Sequence, residues 1–169
     1  MKPLILMFLT TFALATQEGA AVYEHPNRHF RILLPTEWKI DTSASSTGII
    51  AAPLKSMAAL IVESHAANLT NKSARDWYEK SLEINKGRYN KYKEIKKQKS
   101  VRSGADGYRV DYSFDDPFIH QAMRGWTVYL LKNGVINTVG FEASVSEYPQ
   151  YVKAGEAALK SFTPSFVLP

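Results

Sequence analysis

The chain has 169 residues, no cysteine, and 21 basic against 16 acidic residues, a formal net charge of +5. The lack of cysteine excludes a disulfide framework, thiol catalysis and thiolate metal sites. With 45% hydrophobic and 12% aromatic residues, a chain of this size closes one core, burying roughly two-thirds of its unfolded surface.

Met1-Lys2 supplies a positive start, and Leu4 to Leu14 is an apolar run broken only by Thr10 and Thr11. Ala13-Leu14-Ala15 then offers a small-x-small cleavage site, so residues 1–15 read as a secretory signal. Gly19-Ala20-Ala21 offers a second cut, as late as residue 21. At about 1.5 Å rise per residue, the run is too short for a hydrocarbon layer about 30 Å thick, so no transmembrane anchor is expected. No cysteine follows the run, which excludes a bacterial lipoprotein anchor. The expectation is an exported protein, periplasmic or secreted. A single domain is expected over 16–169, with its core at about 22–166.

Residues 23–29 read as a turn. Phe30, Ile32 and Leu34 then alternate on one face of a short strand, Pro35 stops it, and Trp38 opens another. Residues 42–47 form a Ser/Ala/Thr loop, and 48–52 and 57–66 read as strands joined through Pro53-Leu54-Lys55-Ser56. Asn68 and Asn71 stand in glycosylation sequons, a motif short enough to recur by chance. From Ser73 the period changes: Ala74, Trp77, Tyr78, Ser81, Leu82, Asn85 and Tyr89 recur at three and four, an amphipathic helix. Ser73 caps it with Asp76 in a capping-box role, and Gly87 marks its fraying end or a C-cap.

The second half reads as a meander. Residues 92–102 and 108–114 flank Ser103-Gly104-Ala105-Asp106-Gly107, and residues 122–132 and 135–142 are joined by Asn133-Gly134, a strong hairpin signal. A closing helix from about Ser146 carries Tyr148, Tyr151, Val152, Gly155, Leu159 and Phe162 as its apolar stripe, with Pro149 in the first turn.

Tyr23-Glu24-His25-Pro26 leading into Phe30-Arg31-Ile32-Leu33-Leu34-Pro35-Thr36-Glu37-Trp38 resembles the opening of the PsbP-like family. The helix near Ser73, the Gly107-Tyr108 strand start and the closing Tyr148…Ser161-Phe162 fit the same pattern, over roughly Val22 to Phe166. The family includes the extrinsic PsbP protein of photosystem II, a yeast Ran-binding import factor and bacterial proteins of the DcrB kind. The resemblance implies an α+β fold, an α/β/α sandwich around a central, mainly antiparallel sheet, with one mid-chain and one C-terminal helix. It also implies action by binding other macromolecules. No functional residue is carried over from it.

Local chemistry motifs are sparse. His25 and His29 are four apart, but Pro26 and the strand pattern argue against the helix on which that spacing makes a metal pair. Asp115-Asp116-Pro117 reads as a turn rather than as further ligands. The expectation is no catalytic set, no metal and no cofactor. Paired carboxylates of the glycosidase kind leave no spacing rule, so a hydrolase with a carboxylate or histidine site in a surface groove stands as the alternative.

Charge is the distinctive feature. Lys86, Arg88, Lys91, Lys93, Lys96, Lys97, Lys99 and Arg102 sit within 86–102 against one acid, Glu94. Strand alternation gives Lys91, Lys93, Lys97 and Lys99 one parity, opposite to Tyr92, Glu94, Lys96 and Gln98, and so predicts a cationic row. The row reads either as protection of a sheet edge or as a docking surface for an anionic envelope component, such as a lipid headgroup, lipopolysaccharide or an acidic protein. Nucleic acid is not expected, since an exported protein rarely meets it and the aromatic residues sit on apparent core faces. The functional expectation is an exported, non-enzymatic binding or accessory protein of the cell envelope.

Overall fold

The computed structural model describes residues 19–27, 29–67 and 73–166. The expected signal over 1–15 and both sequon asparagines lie outside the described residues. The elements in order are β1 (Ala20–Glu24), β2 (Phe30–Pro35), β3 (Trp38–Asp41), β4 (Gly48–Pro53), β5 (Ala59–Ala66), α1 (Ala74–Arg88), β6 (Asn90–Arg102), β7 (Ala105–Asp116), β8 (Gln121–Lys132), β9 (Val135–Ser144), α2 (Tyr148–Ser161) and β10 (Thr163–Pro164).

Seven strands form the main sheet in the order β3-β4-β5-β9-β8-β7-β6, and β1-β2-β10 make a second, small sheet. Every pairing is antiparallel. Alternation along the strands divides the main sheet into two faces. On one, Trp126, Val128, Leu130, Val139, Phe141, Leu60 and Val62 pack with β2 and with Leu159 and Phe162 from the end of the chain. On the other, Val110, Tyr112, Phe114, Met123, Tyr129 and Ile136 pack beneath Ala74 and Tyr78 of α1. The architecture is the α+β sandwich expected, with one mid-chain and one C-terminal helix on opposite sides of an antiparallel sheet.

The helix ends follow from their sequences. Ser73 Oγ accepts the Asp76 N–H at 3.1 Å while Asp76 Oδ2 accepts the Ser73 N–H at 2.9 Å, a complete capping box. α1 runs through Gly87, and its cap is Tyr89, whose N–H donates to the Asn85 carbonyl at 2.9 Å. In α2, Gly155 allows a close approach, since a Cβ there would meet the Phe141 ring at 2.9 Å.

Two details differ from the sequence reading. Residues 20–24 form a strand, because β1 pairs along β2 from Ala20↔Pro35 to Glu24↔Arg31. The β6–β7 connection is tighter than five residues: Ser103 and Gly104 take φ of 52° and 66°, and Arg102 already pairs with Ala105. Asn133 and Gly134 make the expected left-handed turn at φ of 51° and 73°. Among the described residues no helix is long and apolar enough to cross a membrane.

Candidate functional site

Among the described residues β6 is an edge of the main sheet, paired only with β7. It carries Lys91, Lys93, Lys96, Lys97, Lys99 and Arg102, and its one acid is Glu94. All five lysines are exposed. The four lysines of the expected row, however, do not share a face. The ladder shifts register between Asn90 and Lys93 and again between Glu94 and Lys96, leaving Ile95 as an extra residue. Residues directly opposite in an antiparallel ladder share a face. Glu94, Lys97 and Lys99 oppose Tyr112, Val110 and Tyr108, on the side of α1. Lys93, Lys96 and Gln98 oppose Ser113, Asp111 and Arg109, on the side of α2.

The strand therefore presents cations along its edge to both sides, and Lys96, assigned to the other parity, stands with Lys93. Lys97 Nζ lies 3.3 Å from Glu94 Oε2 and 5.9 Å from the Tyr78 ring centroid. Lys91, at φ 50°, reaches Asp115 Oδ2 at 2.8 Å. Both contacts are open to water, where such pairs hold loosely.

On the α1 face a polar groove of about 190 Å³ runs between the helix and the strands it leaves uncovered. Ser81 and Asn85 form its helix wall, and Tyr112, Thr127, Tyr129, Glu142 and Glu63 are among the strand residues beneath. Tyr112 Oη donates to Glu142 Oε1 at 2.7 Å and lies 3.1 Å from Thr127 Oγ1. Burial pushes the Glu142 carboxyl above the usual glutamate range, against the pull of the Tyr112 hydroxyl. Glu63 behaves oppositely. Its hydrogen bond with His65, with Nε2 and Oε2 3.5 Å apart, lowers the carboxyl and raises the imidazole. Glu63 opposes Thr138, four residues along β9 from Glu142, which sets the two Cα atoms roughly 14 Å apart.

The other histidine and aspartate candidates fall elsewhere. His25 and His29 lie against each other in the β1–β2 turn with ring centroids 4.9 Å apart and the rings tilted by 42°, both buried. Burial, then the neighbouring His29, lowers the His25 imidazole. Asp115 and Asp116 end β7, while Ser165, which donates its N–H to the His29 carbonyl, lies by Asn137, near the opposite end of the sheet. Among the described residues no group of three or more metal-ligating side chains forms. The groove residues escaped the sequence reading because Tyr112, Thr127 and Glu142 come from three strands and meet only through pairing. The one local signal was Glu142, the single charged residue of β9.

No family model matches the sequence, and no curated protein matches it. Solved structures do. The PsbP protein of the cyanobacterium Synechocystis, CyanoP, superposes with a TM-score of 0.65 at 13% identity, over 93% of this chain and 99% of that one. The Saccharomyces cerevisiae Ran-binding protein Mog1p gives 0.61 at 7% identity, over 86% and 95%. LpqN of Mycobacterium tuberculosis, described as involved in cell envelope biogenesis, gives 0.57 at 10% identity, over 85% and 89%. At such identities the likeness speaks for the fold, and the fold of this chain is that of the PsbP-like proteins.

Proposed function

We propose that this chain is an exported, non-enzymatic accessory or binding protein of the cell envelope, and that it docks an anionic partner along β6. The observation that carries the reading is the β6 edge itself. A 13-residue strand with one free side holds five exposed lysines and a single acid. Lysines also keep an edge from pairing with another chain; here five stand within the nine residues from Lys91 to Lys99, against one acid, and project to both faces of the strand. Such a field would attract a polyanion from solution and lose that attraction as salt rises.

Export rests on the positive start, apolar run and small-x-small cut over 1–15. An envelope setting also agrees with the cell-envelope role named for LpqN, and a binding role with the Ran-binding role named for Mog1p. The alternative of a hydrolase draws on the groove, where Glu142 and Glu63 are pushed in opposite directions. The two carboxyls have separate partners, His65 for Glu63 and Tyr112 for Glu142, and their Cα atoms stand roughly 14 Å apart along the ladder. Binding is the better supported reading. It is tested by retention of the chain on immobilised inorganic polyphosphate across a salt series, with loss of retention at moderate salt expected.

A further inference from the structure

The β7–β8 turn holds two large apolar side chains out in water. Phe118 is 72% exposed and Ile119 41%. The turn is built to keep them there. Asp116 pairs with Gln121 across its base, and Asp116 Oδ1 accepts the N–H groups of Phe118 and Ile119 at 2.8 and 3.3 Å. Pro117 fixes one φ, and His120 closes the turn in the left-handed region at φ 52°. A stiff loop that exposes apolar bulk marks an interaction site more readily than scattered apolar residues do.

The surroundings of this tip are cationic. Arg88, in the last turn of α1, holds its guanidinium 6.0 Å from the Phe118 ring centroid and 5.3 Å from that of Tyr89. Ile84, 59% exposed, precedes Arg88 by four residues and so lies beside it on the helix. Lys86 is exposed on the same turn. Lys91 and Lys93 open β6 against the last residues of β7. The acids at this end are Glu83, Asp115, Asp116 and, set back in the groove beneath Tyr112, Glu142. Asp115 is paired with Lys91, and Asp116 is engaged by the turn N–H groups.

A soluble polyanion would engage the cations and leave Phe118, Ile119 and Ile84 in water. A bilayer offers both chemistries at once, phosphates for the cations and an apolar layer just beneath for the tip. We propose that this end of the molecule docks on an anionic lipid surface, with Phe118 and Ile119 inserted among the headgroups and Arg88, Lys91 and Lys93 on lipid phosphates. The inference rests on the β6 docking reading and names its partner.

The test uses the full chain, so that residues 4–14 contribute equally to parent and variants. Phe118→Trp is added to vesicles of phosphatidylcholine alone, or of phosphatidylcholine with phosphatidylglycerol, and the parent spectrum is subtracted. The emission of the new indole should shift to shorter wavelength and be quenched by chain-brominated lipid only where phosphatidylglycerol is present. Phe118→Ser with Ile119→Ser should weaken vesicle binding about tenfold, or about 1.4 kcal/mol, while polyphosphate retention and thermal midpoint stay unchanged. An unshifted indole on vesicle-bound protein overturns the insertion. Retention on polyphosphate without binding to anionic vesicles overturns the lipid inference and leaves the β6 reading standing. Retention on neither overturns both.

Discussion

Lys93 and Lys97 leave the same strand toward opposite faces of the sheet, Lys93 across from Ser113 and Lys97 across from Val110. The cause is the bulge at Ile95, which adds one residue to β6 and reverses the parity after it. A partner that lay flat on one face would meet only half of the lysines. One that approached the edge would meet them all. Changing Lys93 and Lys96 to Gln, or Lys97 and Lys99 to Gln, should therefore weaken polyphosphate retention to a similar degree. Elution salt measured for the two pairs checks this, and loss confined to one pair would assign docking to that face.

Glu142 should make stability depend on pH in an identifiable direction. Its native carboxyl holds a proton more tightly than the unfolded chain does. Native protein thus binds more protons over the window from the ordinary value of 4.5 up to the raised native value, and stability falls as pH rises through it. Glu142→Gln removes that loss and can still accept from Tyr112. The variant should melt about 2–4 °C above the parent at pH 7, with the difference vanishing at pH 4. Thermal melts at the two pH values measure it.

Tyr112 should matter more than its hydroxyl suggests. Tyr112→Phe leaves Glu142 without its 2.7 Å donor, at a cost of about 1–3 kcal/mol. The loss should be greatest at pH 7 and should shrink in the Glu142→Gln background. A double-mutant cycle by urea unfolding gives the coupling.

Arg109 ties β7 to α2. Its guanidinium donates to Asp111 Oδ1 at 2.8 Å and Glu156 Oε1 at 2.7 Å, and lies 4.9 Å from the Trp126 ring centroid. With Arg109 and Asp111 each only 17% exposed at the side chain, Arg109→Met strands two acids. A loss of about 2–4 kcal/mol is expected in chemical denaturation. Glu156→Gln, which keeps an acceptor, should cost less.

The strand alternation, the capping box at Ser73 and the Asn133-Gly134 turn were all readable in the sequence, because each is fixed by residues within a few positions of one another. β1 was not, since its pairing with β2 depends on residues up to fifteen positions away. The bulge also escaped, although Ile95 hinted at it by placing an apolar residue in the lysine parity. The groove lay further out of reach, since Tyr112, Thr127 and Glu142 are brought together by three strand registers. Phe118 and Ile119 follow the Asp115-Asp116-Pro117 turn without a sequence pattern of their own, and only their exposure, with Arg88 beside Phe118, distinguishes them.

The most direct test of β6 as a docking edge is the combined change of Lys91, Lys93, Lys97 and Lys99 to Gln, compared with the parent on immobilised polyphosphate at low salt. The ion pairs of these lysines are exposed, so the thermal midpoint should stay nearly unchanged. The parent should be retained and released by salt, while the variant passes through. Equal retention of parent and variant would contradict docking and leave β6 with edge protection as its role.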